Sequence, residues 1–207
     1  MSMVLAHTIS PEEDVLRRRV KAELRQRMRA VRRTLPDEAR AERSARIWEH
    51  VVARPEWANA HTVMLFVSMR TEVDTKAPAA ALWAEGKRVA APRMTEEGLE
   101  IREWREADVP VEVGNMRVPE PPEHAPLIAP SEVDLVIVPA LVLDERGARI
   151  GYGAGLYDRL LPSLTRATRL GVIFDFQFMS EVPETDGDER VHIVASDKRV
   201  IEIRRAL

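Results

Sequence analysis

The segment with the clearest chemical meaning spans residues 149–159 and reads RIGYGAGLYDR. Its glycines at 151, 153 and 155 alternate just before residues of helical character that run toward Leu161. Alternating glycines permit positive φ angles and let backbone N–H groups approach a ligand, and a following helix presents its positive end. Such a loop suits phosphate, although glycine spacing alone is equally compatible with a tight connection that holds no ligand.

Two charged residues flank these glycines. Arg149 has the planar fork that pairs with two phosphate oxygens. Asp158 is placed either to hold a metal ion or to cap the following helix. The segment is neither a Walker loop, since no Gly-Lys-Ser/Thr follows, nor a dinucleotide fingerprint, since its glycine spacing differs. It therefore predicts phosphate binding of another kind.

A second group of charges lies near the N-terminus. Lys21 and Arg25 are four residues apart, so on a helix they share a face that adjoins the apolar stripe. Most such pairs are solvated, and position alone therefore leaves a surface role open.

Two helices are predicted before any strand. Apolar residues recur every three or four positions from about Asp14 to Leu35, the period of an amphipathic helix. Pro36 begins a second helix, which continues until Pro55. Residues 1–13 are expected to form a flexible extension of a single domain that spans residues 1–207.

The strands alternate with helical segments. Residues 62–68 and 88–92 are predicted as strands on either side of an alanine-rich helix, and residues 99–104 as a half-buried strand. This β-α-β order predicts parallel pairing. Residues 105–132 are interpreted as proline-rich loop. Further strands are predicted at the ranges 133–138, 170–174, 191–195 and 200–203.

Composition excludes several classes of protein. The 207 residues are 45% hydrophobic, contain no cysteine and carry a formal net charge of -3. Disulfides, thiolate metal sites and cysteine nucleophiles are thereby excluded. The acidic balance argues against nucleic acid as a partner, and no apolar run is long enough to span a membrane. We expect a cytoplasmic protein that is a monomer or a weak dimer.

Four segments in order resemble the 5-formyltetrahydrofolate cyclo-ligase family. The first and second are Lys21 to Arg25 and Phe66 to Thr75. The third runs from Asp134 to Pro139 and continues into the glycine loop, and the fourth joins residues 174–177 to Asp188. The resemblance implies a three-layer α/β fold, with a mostly parallel sheet flanked by helices, similar to sugar-phosphate isomerases and CoA transferases.

The resemblance also implies residue roles. Arg149, Tyr157 and Asp158 are implied as catalytic, Asp158 and Asp188 as Mg²⁺ ligands, and Met69, Glu72 and Tyr157 as neighbours of the folate. The residues implied at ATP are Lys21, Arg25, Arg149, Gly151, Tyr152, Gly153, Ala154, Gly155, Leu156, Tyr157 and Asp158.

The implied reaction closes 5-formyltetrahydrofolate to 5,10-methenyltetrahydrofolate. A formyl oxygen leaves poorly, so transfer of the γ-phosphoryl group of ATP to that oxygen would let N10 attack and phosphate depart. Such a transfer asks the protein mainly for positioning and charge neutralisation. Reduced folate, ATP and Mg²⁺ are therefore the expected ligands.

The sequence also departs from the family pattern. Gly-Ala-Gly at residues 153–155 replaces the common Gly-Gly-Gly or Gly-Lys-Gly, and Leu156 stands where tyrosine is common. A paralogue with another substrate and a nucleotide-binding regulator without catalysis remain alternatives. An RNA-binding module built on the basic residues 17–33 is disfavoured by the acidic balance.

Overall fold

The computed structural model describes residues 9–69, 71–108, 110–113 and 118–203. Within them the helices are α1 Pro11–Thr34, α2 Asp37–Val52, α3 Pro55–Asn59, α4 Lys76–Ala84 and α5 Leu156–Leu160. The strands are β1 Thr62–Met64, β2 Arg88–Met94, β3 Leu99–Glu103, β4 Val111–Val113, β5 Val118–Glu120, β6 Leu135–Pro139, β7 Val142–Asp144, β8 Arg149–Ile150, β9 Thr168–Val172, β10 Phe178–Met179, β11 Ile193–Ala195 and β12 Val200–Glu202.

Helix α1 begins earlier than the apolar period indicated. Ser10 caps it by accepting a hydrogen bond from the Glu13 backbone N–H at 3.2 Å, and Pro11 occupies its first turn. Proline at this position loses no intrahelical hydrogen bond, because the first N–H groups of a helix have no partner within it. The acidic residues that follow interact favourably with the positive end of the helix dipole. The expected extension over residues 1–13 is therefore wrong for residues 11–13, while residues 1–8 lie outside the described part.

The main sheet confirms the predicted α/β class. Its strand order is β12-β11-β9-β6-β1-β2-β3. The inner strands from β11 to β2 pair in parallel, whereas β12 and β3 at the two edges run antiparallel to their neighbours. Strands β1 and β2 flank α4, so the β-α-β prediction of a parallel pair is confirmed.

Both faces of this sheet are buried, because successive side chains of a strand point to opposite sides. On one face Leu135 and Ile137 of β6 pack in a cluster with Trp48 of α2 and Leu82 of α4. On the other face Val136 and Val138 join a cluster that includes residues 160, 161 and 164. The helices thus form layers on both sides, as expected for parallel strands.

Two smaller sheets were not predicted. Strands β4 and β5 form an antiparallel hairpin inside the segment interpreted as loop, so that interpretation is wrong there. Three-residue strands beside prolines are too short to show a period of two. Strand β7 pairs with β8 and β10, and β8 leads directly into the glycine loop. Among the described residues no helix is both long and apolar enough to cross a membrane.

Candidate active site

A cleft of about 550 Å³ opens at the carboxyl ends of the parallel strands. The cleft is bordered by Phe66, Val67 and Met69, which follow β1, by Met94, which ends β2, and by Pro139, which ends β6. Ligands of open α/β sheets bind at this edge, where the loops that leave the strands diverge. All the site residues singled out in the sequence line this one cleft, namely Lys21, Arg25, Met69, Glu72, Arg149, Gly151, Tyr152, Gly153, Ala154, Gly155, Leu156, Tyr157, Asp158 and Asp188.

The glycine loop forms one wall of the cleft. Gly153 has φ 111° and Gly155 has φ 64°, backbone conformations that side chains with a Cβ rarely adopt. No hydrogen bond within the described part of the chain uses a backbone N–H of residues 151–155 as donor. Helix α5, expected to supply a positive end, is only five residues long. The N–H groups of the loop itself are therefore its main anion-binding feature.

Cations of α1 close against this loop. Arg25 Nε donates to the Gly151 carbonyl at 3.0 Å, and Arg29 donates to the Tyr152 carbonyl at 2.8 Å. Burial, followed by repulsion from Arg29, lowers the pKa of Arg25, the direction expected of a cation without a full counter-charge. Because Arg25 borders the cleft, the alternative of a freely solvated helical pair does not hold.

Lys21 is buried, with 5% of its surface exposed. Its ammonium lies 2.7 Å and 2.5 Å from the two oxygens of Asp188, and 3.2 Å from the Thr185 hydroxyl. Asp188 also accepts from the Thr185 backbone N–H at 2.7 Å. This pair joins α1 to the loop that precedes β11 across 167 residues of sequence.

Arg149 and Asp158 form a second ion pair, with 2.5 Å between Arg149 Nη2 and Asp158 Oδ1. Asp158 Oδ1 also accepts from the Glu189 backbone N–H at 3.2 Å, so its bonds do not include the α5 cap weighed from the sequence. The buried Arg149 Nε and the buried Tyr157 hydroxyl have no hydrogen-bond partner in the described structure. Burial raises the pKa of Tyr157, which therefore remains a neutral donor at physiological pH. Two unused donors thus belong to neighbouring side chains, since the Arg149 Cζ lies 5.9 Å from the centre of the Tyr157 ring.

Glu72 and Tyr152 form a buried polar cluster beside the cleft. The Tyr152 hydroxyl donates to Glu72 Oε1, and the Met69 backbone N–H donates to Oε2 at 2.9 Å. Arg32 donates to the Tyr152 hydroxyl at 2.6 Å and lies 4.0 Å from Glu72. Burial raises the pKa of Glu72, an effect that Arg32 and Tyr152 oppose. The loop after β1 is thereby tied to the glycine loop.

The hydrogen bonds of this cluster predict that loss of the Tyr152 hydroxyl destabilises the protein, and Tyr157 provides a matched control. Tyr152→Phe is expected to cost about 1–3 kcal/mol of unfolding free energy, because Glu72 keeps its burial but loses a donor. Tyr157→Phe removes a hydroxyl that has no partner in the described residues, so its cost is expected to be smaller. Urea unfolding of both variants measures the difference. Equal losses would show that the Tyr152 hydroxyl contributes nothing specific.

Asp158 and Asp188 do not by themselves form a metal centre. The described residues contain no group of three or more His, Cys, Asp or Glu side chains that could hold an ion. Each of the two carboxylates is already paired with a cation. Mg²⁺, however, often uses only one or two carboxylates together with water and substrate phosphates. This donor set therefore fits an ion that arrives with a phosphate ligand.

Glu120 is a site residue that the sequence did not reveal. It lies on β5, lines the cleft and is 2% exposed. Burial raises its pKa, opposed by the Met94 backbone N–H and by Arg93. The local sequence is a proline-rich run, in which nothing distinguishes this carboxylate from a surface charge. Only the hairpin of β4 and β5 brings it to the cleft.

The fold and the site together define an α/β protein whose cleft is lined by both cationic and apolar side chains. The model of the 5-formyltetrahydrofolate cyclo-ligase family matches residues 17–197. The chain therefore belongs to this enzyme family, which confirms the resemblance found in the sequence.

Relatives and a solved structure agree with this assignment. The 5-formyltetrahydrofolate cyclo-ligase of Escherichia coli strain K12 is 29% identical over 181 residues, covering 84% of this chain and 99% of the relative. The mouse protein of the same name is 26% identical over 187 residues, covering 84% and 90%. The structure of Aquifex aeolicus 5,10-methenyltetrahydrofolate synthetase superposes with a TM-score of 0.78 at 25% identity, covering 91% of this chain and 95% of that one.

Proposed function

We propose that this protein uses ATP to close 5-formyltetrahydrofolate to 5,10-methenyltetrahydrofolate, with release of ADP and phosphate. Family membership supports the reaction. The observation that carries the details is that Lys21, Arg25 and Arg149 line the same cleft as the glycine loop, together with apolar residues such as Met94 and Leu99. The cations and the loop, here called the phosphate end, suit a triphosphate. The apolar residues and their neighbours, here called the folate end, suit a reduced pterin.

The phosphate end is ready for an anion. The free N–H groups of residues 151–155 and the free Arg149 Nε all lack acceptors in the described structure. A phosphate would supply several oxygens at once. Lys21, Arg25 and residues 151–158 accordingly form the proposed nucleotide site, with Ala154 and Leu156 contributing backbone and wall rather than charge.

The folate end is formed by residues of other elements. Met69 and Glu72 come from the loop after β1, and Tyr157 lines the same cleft with its ring centre 5.9 Å from the Arg149 Cζ. The neutral Tyr157 hydroxyl is a donor for the formyl oxygen or for the phosphoryl group that it receives. We assign Met69, Glu72 and Tyr157 to the folate side of the cleft.

The proposed chemistry needs no nucleophilic side chain. ATP supplies a phosphoryl group that converts the formyl oxygen into a leaving group. N10 then forms its bond to the formyl carbon and loses its proton, and the C–O bond breaks as inorganic phosphate departs with that proton. The residues hold the two substrates in line, while Arg149 and the loop N–H groups stabilise the charge that develops on the transferred group.

Asp158 and Asp188 are the proposed carboxylates for Mg²⁺. When bound, the ion neutralises phosphate charge and orients the transferred group. Asp158 Oδ2 takes no part in the hydrogen bonds within the described residues, so one oxygen is available without loss of the Arg149 pair. Lys21 and Arg149 hold the two carboxylates in place at the rim of the phosphate end.

The proposal predicts turnover that depends strictly on both substrates. Purified protein mixed with 5-formyltetrahydrofolate, ATP and Mg²⁺ is expected to develop the absorbance of the methenyl product, with one ADP for each product. Omission of ATP or addition of EDTA should abolish the signal. ATP binding without turnover would instead favour the nucleotide-binding regulator. ADP release that requires another amide or acid would favour a paralogue.

The paralogue alternative has a specific basis, since Ala154 and Leu156 both line the cleft where the family pattern differs. Cytoplasmic location, a monomeric or weakly dimeric state and the lack of nucleic-acid or membrane partners stay predictions.

A further inference from the structure

We propose that Glu120 recognises the N–H edge of the pyrimidine ring of the folate, an inference that rests on the proposed function. It assigns the specificity for the pterin to the hairpin of β4 and β5. No charged motif in the sequence marked this residue.

One carboxylate oxygen of Glu120 receives no hydrogen bond from the residues that the structure describes. Its side chain is 3% exposed, yet Oε2 has no hydrogen-bond partner in the described structure. Arg93 Nη1 is 3.9 Å away, beyond hydrogen-bond distance, and donates instead to the Pro121 carbonyl at 3.0 Å. A buried carboxylate oxygen without a donor is costly, so a ligand that supplies one gains affinity.

The surroundings of Glu120 suit a flat ring. Pro92, Met94, Leu99 and Val118 line the same cleft and offer apolar surface beside the carboxylate. Apolar walls with one or two convergent polar groups are typical of small-molecule sites. A ring between such walls would be oriented by the carboxylate of Glu120.

Glu72, the other buried carboxylate of the cleft, is less available. Its Oε1 accepts from Tyr152 and its Oε2 from the Met69 backbone N–H. Glu72 therefore holds the loop after β1 in shape, while Glu120 retains an unused oxygen for a ligand.

The donor pattern of the ligand distinguishes pterin from adenine. A 2-amino-4-oxo-pyrimidine ring presents a ring N–H next to an amino group, and both are donors. One of them would pair with the free Oε2 of Glu120, and the other would share the second oxygen with the Met94 backbone N–H. The corresponding edge of adenine presents an amino group next to a ring-nitrogen acceptor, which would face a carboxylate oxygen with like polarity. Glu120 therefore favours the folate over the nucleotide.

The test compares Glu120→Gln with Glu123→Gln. Glutamine keeps the shape of the side chain but replaces one acceptor by a donor. Glu123 is 85% exposed near the same Arg93, so it controls for the loss of one negative charge. Calorimetry without ATP is expected to show 5-formyltetrahydrofolate binding weakened about 10- to 100-fold by Glu120→Gln, with no change from the control. The KM for ATP should be the same in both variants.

A folate analogue without the 2-amino group provides the second measurement. The wild type should bind this analogue more weakly than the parent compound, and Glu120→Gln should discriminate far less between the two. Unchanged folate affinity, equal discrimination, or a raised KM for ATP alone would overturn the assignment. Absence of turnover by the wild type would contradict the proposed function only, because calorimetry still measures the contribution of Glu120.

Discussion

Arg149→Met is expected to lower the kcat of ring closure by about 10³-fold or more, while the KM for 5-formyltetrahydrofolate changes little. The Arg149 side chain is 3% exposed, holds Asp158 at 2.5 Å and keeps Nε free beside the glycine loop. A cation placed there acts on the negative charge of the transferred phosphoryl group, where such groups contribute most. Steady-state kinetics with each substrate varied separately measure the effect.

Two further variants separate charge from geometry. Arg149→Lys keeps the charge but loses the planar fork, so an intermediate loss is expected. Arg166→Met removes an arginine whose side chain is 69% exposed and lies outside the residues that line the cleft, and wild-type kinetics are expected. Equal activity of Arg149→Met and Arg166→Met would contradict a role for Arg149 in the reaction.

Lys21→Met is expected to affect both stability and nucleotide use. It leaves the carboxylate of Asp188, whose side chain is 17% exposed, without its cation. Loss of one partner from a buried ion pair typically costs about 3 kcal/mol or more, because the remaining charge is uncompensated. We also expect a KM for ATP raised about 10- to 100-fold, since a charge-assisted contact to phosphate is lost.

A double variant separates these two effects. Lys21→Met with Asp188→Asn removes both charges and keeps an oxygen that can accept from the Thr185 backbone N–H. Its thermal stability is expected to recover at least partly, while its KM for ATP stays high. Recovery of ATP use together with stability would show that Lys21 acts only as a structural partner of Asp188. Arg19→Met is the control on the same helix, because Arg19 is 77% exposed.

The ion pairs explain how cations and carboxylates share one small cleft. Two ion pairs exist before any ligand binds, one between Lys21 and Asp188 and one between Arg149 and Asp158. In each pair the cation and the carboxylate fix one another's position. A phosphate with its Mg²⁺ brings charges of both signs, so each pair can exchange one partner without leaving a buried charge alone. Preorganised charges of this kind need little rearrangement during the reaction.

Several features of the site followed from the sequence because their signals are local. The glycine loop was recognisable from its spacing, and the face shared by Lys21 and Arg25 follows from the helical period. The strong apolar runs around residues 62–68 and 133–138 identified central strands, although β1 itself ends at Met64. The short strands were not predicted, because each of them, namely β4, β5, β7 and β8, has only two or three residues.

Local patterns along the chain were enough to predict the α/β class, the order of the main elements and the residue types available for phosphate chemistry. Hydrophobic periods and glycine spacing report on neighbours along the chain, and these properties depend on such neighbours. Three-dimensional packing was needed to show that Lys21 meets Asp188, that Tyr152 engages Glu72, and that Glu120 lines the cleft with one oxygen unpaired among the described residues. Those contacts join residues far apart in sequence, so they depend on how the layers pack.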